Sequence, residues 1–221
     1  MLAKELITVN VPVLRPEDKG AAALGWMELF RISHLPVVKE DEYLGLISDK
    51  IIEDLNLSEE TIDRQLLQLH TPHIHEKQHL FEVAAVMYKL DLPILPVVDD
   101  QHTYKGAILL PAVARAFGRL LSLDEPGGLV ILSVPEHSFS VSQIGQIVES
   151  NDVRILSFYA AKPTGSERLE VLLKLNKVDI SGVIQTFERY DYRITSVLMD
   201  DSMLSDLYED RLEQFLKFMN I

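Results

Sequence analysis

Apolar and polar positions along this chain fall into short runs that recur in a fixed order. Residues 35–38 read Leu-Pro-Val-Val, a polar turn follows, and Gly45 opens a second apolar run through Ile47. Residues 95–98 repeat Leu-Pro-Val-Val, followed by another polar turn, Gly106 and a run ending Ile-Leu-Leu-Pro-Ala. Sliding the sequence against itself by 60 residues places Leu6 on Leu66, Ile7 on Leu67, Pro12 on Pro72, Leu14 on Ile74 and Met27 on Met87. One extra residue enters the later turn, and then Tyr43 falls on Tyr104, Gly45 on Gly106 and Ile47 on Ile108. The matches occupy apolar and turn positions, where a shared backbone requires them.

Each copy predicts the same elements. A short extended piece (Val13-Leu14; His73-Ile74) precedes a helix. That helix carries small and apolar residues at helical spacing, Ala21, Leu24, Met27 and Leu29 in one copy and Val83, Ala84, Met87 and Leu90 in the other, and Leu24, Met27, Ala84 and Met87 stand at equivalent places as the expected homodimer face. A buried strand, a polar turn and a hairpin strand follow, then a second helix at about 49–55 and 111–121. The pattern changes after a linker at 122–128. Strands at 129–135, 153–162, 168–176 and 192–201 alternate with helices at 140–152 and 179–191, in the order β-α-β-β-α-β of a ferredoxin-like domain. The inward residues are Val141, Ile144, Ile147 and Val148 in the first helix, capped by Ser140, and Ile180, Val183, Ile184 and Phe187 in the second. Residues 202–221 carry Leu204, Leu207, Tyr208, Leu212 and Phe215 at helical spacing. They predict a C-terminal helix that packs on its own domain or clamps a dimer. The expected fold class is α+β. Residues 1–122 form two β-α-β-β-α repeats (about 1–57 and 62–122), residues 127–201 a ferredoxin-like domain, and 202–221 the last helix.

The doubled β-α-β-β-α unit with its Leu-Pro-Val-Val phrases resembles the CBS domain, and two in tandem resemble a Bateman module. That resemblance implies packing of the two copies through their sheets, a homodimer, and adenosine nucleotides (AMP, ADP or ATP) in clefts between copies. Ligand-binding members place a Ser or Thr three residues after the hairpin glycine and an Asp three residues further on, which holds the ribose hydroxyls. Here the first copy has Ser48 but Ile51, with Asp49 nearby on a different helical face. The second copy has Leu109 and Ala112 with Pro111 between them. Ser48, Asp49, Val13, Leu14 and Ile74 are the candidate ligand-binding residues. Two readings stay open: hairpins that serve packing and dimerisation only, or a retained ligand near Ser48.

The later block resembles an ACT domain, a family of amino-acid-sensing modules. Its binding members carry Asp-Arg-Pro-Gly before the first helix. This chain has Glu136-His137-Ser138-Phe139, and Arg154 stands in place of the family's asparagine. A phenylalanine in the glycine slot is expected to crowd the backbone approach to a ligand. A CBS pair joined to an ACT-like domain is similar to bacterial proteins of the acetoin-utilisation type.

Composition narrows the functional classes. The chain has no cysteine, which excludes disulfides and thiolate chemistry. A net charge of −13 opposes non-specific binding to nucleic acid or an anionic membrane. No apolar stretch approaches the length of a membrane span, and the N-terminus lacks the apolar core of a signal peptide, so a cytoplasmic protein is expected. His70, His73, His75 and His79 lie close together beside Glu76, a set that could ligate a metal. The expectation is exposed histidines that merely titrate, since His73 and His75 flank an inward Ile74. No P-loop, nucleophile elbow or zinc-protease motif occurs, so no catalytic residue is expected. A non-catalytic regulatory sensor acting on a partner protein, or a structural adaptor with decayed sites, fits the pattern.

Overall fold

The computed structural model describes residues 1–64 and 69–198. The expected C-terminal helix lies outside the described residues, as do Leu66 and Leu67 of the repeat alignment. The chain divides into two compact units, Met1–Ala116 and Phe117–Ile221.

In the first unit, α1 (Gly20–Phe30), β1 (His34–Lys39), β2 (Glu42–Ser48) and α2 (Asp49–Asp54) form the first repeat. The short strand β3 (Ile74–His75), then α3 (Leu80–Leu90), β4 (Ile94–Val98), β5 (Tyr104–Leu109) and the first part of α4 (Leu110–Leu120) form the second. Both hairpins are antiparallel and both bulge between the two valines, at Val37/Val38 and at Val97/Val98. The extended pieces add in parallel, Leu14 beside Val37 and Ile74 beside Val97. The two repeats therefore share register as well as element order.

The segments leading into the repeats are exchanged. Thr8, ahead of the first repeat, bonds both ways with Ala107 of β5, and the Leu46 N–H of β2 donates to the His70 carbonyl at 2.9 Å. This crossing explains the hairpin glycines. A Cβ on Gly45 would stand 2.7 Å from Leu69 Cβ, and one on Gly106 would stand 2.5 Å from Ile7 Cγ2. Only glycine lets the exchanged segment pass that close.

The helix phases differ from the sequence expectation. α1 buries Gly20, Ala23 and Met27, while Ala21 and Leu29 are exposed. The cause is Gly20, whose absent Cβ would lie 2.4 Å from the Leu57 carbonyl oxygen, so this face of the helix is pressed onto the chain after α2. α3 buries Leu80, Val83 and Met87, with Ala84 half-buried and Leu90 exposed. Met27 and Met87, expected at a dimer face, instead belong to the core, because they share the helix side that packs on the sheets. The apolar surface these helices leave outward is Trp26, Leu29 and Phe30 on α1 and Phe81, Tyr88 and Leu90 on α3.

The second unit contains β6 (Leu129–Pro135), α5 (Val141–Glu149), β7 (Ile155–Ala161), β8 (Arg168–Leu175), α6 (Ser181–Arg189) and β9 (Arg193–Leu198). The sheet order is β7-β8-β6-β9, antiparallel throughout, which is the ferredoxin-like arrangement. Alternate residues Val130, Leu132 and Val134 of β6 and Val171, Leu173 and Leu175 of β8 meet Ile144, Ile147, Val148, Val183 and Phe187 of the helices in one core. Ser140 caps α5 by accepting from the Gln143 N–H at 3.3 Å. Val141, expected inward, is exposed because it opens the helix ahead of the first turn that reaches the core.

Candidate functional site

The first repeat carries a cleft of about 470 Å³ lined by His34, Leu46, Ser48, Ile51, His70, Thr71, Pro72, Leu90 and Leu92. It is a product of the exchange. β1, β2 and α2 supply one wall, the crossing segment 70–72 lies along β2, and Leu90 and Leu92 come from the end of α3. Most of the wall is aliphatic, with the two imidazoles and one hydroxyl as its polar side chains apart from Thr71.

Ser48 is the buried polar residue of the described core. It ends β2 and caps α2, its Oγ accepting from the Ile51 N–H at 3.2 Å. That bond occupies a lone pair and leaves the hydroxyl proton free to donate. Ile51 follows on the same cleft wall, in the position where the resemblance calls for a ribose-binding carboxylate. His34 is half-buried, with Nδ1 2.9 Å from Ser33 Oγ. Burial pushes its pKa below the ordinary histidine value, opposed by the nearby charges of Asp49 and Asp91. The neutral imidazole is therefore the favoured form in this cleft.

The other candidate residues are placed elsewhere. Leu14 and Ile74 are fully buried core residues of the parallel pieces. Val13 is exposed, and none of the three lines the cleft. Asp49 lies on a neighbouring hollow with Arg31 and Glu53, and its carboxylate accepts from the Lys50 N–H. His34, His70 and the segment 71–72 belong to the site but escaped the sequence reading, because only the exchange brings 70–72 beside Ser48.

The histidine-rich stretch is dispersed. His79 caps α3 in a reciprocal box with Glu82. His75 Nε2 lies 2.8 Å from Asp100 Oδ1, while its Nδ1 accepts from the Lys77 N–H. The His73 ring meets His102 edge-on with centroids 4.8 Å apart. His73 and His79 are exposed, as expected, with His79 at the helix start, whereas His75 is half-buried and holds a turn. Among the described residues no group of three or more His, Asp or Glu is arranged to hold a metal ion.

Tyr43 and Tyr104, equivalent in the repeat, stack at the meeting of the two hairpins with centroids 6.4 Å apart. The Tyr43 hydroxyl donates to the Pro72 carbonyl at 2.9 Å, tying this stack to the cleft wall. Burial raises both tyrosine pKa values far above the ordinary phenol range, so both remain neutral donors.

In the second copy, Leu109 and Ala112 occupy the places of Ser48 and Ile51. The Leu110 N–H donates to the Pro93 carbonyl just as the Asp49 N–H donates to Ser33. The backbone is conserved between the copies, and the polar side chain is not. In the second unit, residues 136–139 form the loop before α5. The Phe139 ring turns onto the core and packs 6.2 Å from Phe158. The Arg154 N–H donates to Asn176 Oδ1 at 2.7 Å.

Comparisons with known proteins match parts of the chain. Residues 3–54 match the CBS domain family. The chain is 30% identical over 117 residues to an inosine-5'-monophosphate dehydrogenase of Methanocaldococcus jannaschii, covering 51% of this chain and 23% of that one. It is 27% identical over 94 residues to a homoserine O-acetyltransferase of Methanosarcina acetivorans, covering 40% and 16%. This chain therefore spans less than a quarter of the length of either relative. Among solved structures, a CBS domain pair/ACT domain protein of Thermotoga maritima superposes with a TM-score of 0.49 at 22% identity, covering 55% of this chain and 99% of that one. The CBS match thus falls on the first repeat, and a second copy of the same unit and a ferredoxin-like domain follow it along the chain.

Proposed function

We propose that this chain is a non-catalytic regulatory module that senses a small molecule at the first cleft and reports it to a partner protein. The ligand class is an adenosine nucleotide, bound weakly. One observation carries the reading: a cleft large enough for a nucleoside, with aliphatic walls for a flat ring and the buried Ser48 hydroxyl retaining a free proton. Weak binding follows from Ile51. A missing charged hydrogen bond costs about 1.5–3 kcal/mol, or about tenfold to a hundredfold in affinity. The net charge of −13 opposes ATP more than AMP. Leu109, Pro111 and Ala112 supply no such donor in the second copy, which favours a scaffolding role for that half. The working assembly in this reading is a homodimer formed through the outward apolar residues of α1 and α3. Calorimetric titration of AMP, ADP and ATP into the wild type and Ser48→Ala tests the site. Weak binding abolished by Ser48→Ala supports it, and tight binding indifferent to that change overturns it. If no nucleotide raises the melting temperature, the chain is a structural adaptor instead.

A further inference from the structure

The second unit carries a separate hollow of about 420 Å³ where the ends of β6, β8 and β9 meet the loop before α5. Its distinctive feature is two arginines in one lining, Arg168 bonded to Ser133 and Arg193 its ladder partner. Ser133 lies on the face of β6 turned away from the helices, alternating with the buried Leu132 and Val134. Arg168 reaches along the sheet to it, Nε donating to Ser133 Oγ at 2.8 Å and Nη2 to the Ser133 carbonyl at 2.6 Å. Arg193 is the ladder partner of Ser133 on β9, so its side chain starts from the same face about 4.5–5.5 Å away.

Neither guanidinium has an ion-pair partner among the described residues. Glu170, opposite Ser133 on β8, and Asp191, on the rim, are the nearby carboxylates, and neither comes within ion-pair distance of either arginine. The two arginines flank β6 from its two sides, Arg168 of β8 opposite Pro135 and Arg193 of β9 opposite Ser133, and both line the hollow. Both keep donors beyond the hydrogen bonds already made. Arg168 keeps its Nη1 donors, Arg193 keeps all of its donors, and Ser133 Oγ accepts from Arg168 and so keeps a proton to give. The Tyr192 hydroxyl donates to Gln143 Oε1 at 2.9 Å, fixing that amide so that its NH2 remains free. The hollow thus offers more free donors than the two oxygens of a carboxylate can absorb.

We propose that this hollow is a second ligand site, independent of the first cleft, that binds a phosphoryl group, as free phosphate or as a small phosphate monoester. Three terminal oxygens match two guanidinium forks, the serine hydroxyl and the glutamine amide. The remaining volume accommodates the ester group.

The test is a titration of the full chain, followed by amide NMR, with inorganic phosphate, phenyl phosphate, acetate and serine. Phosphate and phenyl phosphate should shift the Ser133, Arg168 and Arg193 signals saturably, and acetate and serine should not at equal concentration. Tighter binding of phenyl phosphate than of phosphate identifies an ester as the fitting ligand, and the reverse identifies free phosphate. Arg193→Gln, at an exposed strand start, should keep the spectrum of the core and weaken binding at least about tenfold, the loss of one charged hydrogen bond. Arg168→Gln should weaken it similarly. No saturable shift, an equal response to acetate or serine, or binding unchanged in Arg193→Gln overturns the proposal.

Discussion

Replacing Ile51 with aspartate should turn the first cleft into a tighter adenosine site. Ile51 sits on the cleft wall one helical turn from Ser48. A carboxylate there would face the same space as the Ser48 proton and accept from a vicinal diol. The gain is one or two charge-assisted hydrogen bonds, about 1.5–3 kcal/mol and so about tenfold to a hundredfold in AMP affinity. The fold should tolerate the change, because aspartate in the first turn of α2 suits the helix dipole. Ile51 is half-buried rather than core, so the lost burial costs about 1 kcal/mol of stability. Calorimetry with AMP on both proteins, beside a melting curve, separates affinity from stability. Ala112→Asp, in the copy lacking a serine, is the control and should gain less. A folded Ile51→Asp protein with unchanged AMP affinity would refute the geometry argued for the cleft.

Further outcomes follow from the same contacts. Gly20→Ala should destabilise by about 1–3 kcal/mol in urea unfolding, because its Cβ meets the Leu57 carbonyl, whereas Gly25→Ala, with nothing within 4 Å, should be neutral or stabilising by up to about 1 kcal/mol; equal effects would contradict the helix phase. Tyr43→Phe should cost about 1–2 kcal/mol by leaving the Pro72 carbonyl without its donor, read from the same unfolding curves. His34 has a lowered pKa in the fold, so its contribution is full above the unfolded value of 6.5 and is lost as pH falls below it. His34→Gln should therefore flatten part of the stability decline between pH 7 and 5, and an unchanged slope would count against a neutral His34. Trp26→Glu with Leu29→Glu should shift sedimentation toward monomer if the outward faces of α1 and α3 build the dimer.

The repeat and the order of strands were legible because they are written in local periodicity. The two Leu-Pro-Val-Val phrases, with their hairpin glycines, carry enough register to place both hairpins. The alternation of β6 and β8 likewise announces a sheet with one covered face. The exchange of leading segments was not legible, since nothing local in Thr8 or His70 says which hairpin it joins. That gap also hid half of the cleft, because His70, Thr71 and Pro72 reach Ser48 only through the exchange. The phase of α1 was ambiguous for another reason. Apolar residues stand on every side of it, and a glycine contact rather than a hydrophobic stripe selects the buried face. Leu14 and Ile74 are candidates by sequence, yet the strand period sends both into the core.

The central claim is that one cleft reads an adenosine ligand and its repeat does not. Photolabelling with 8-azidoadenosine monophosphate, followed by peptide mapping, addresses it directly. The account predicts labelled peptides from residues 34–51 and 70–92, protected by excess AMP and lost in Ser48→Ala. Label on residues 107–112, or label that AMP fails to displace, would contradict it.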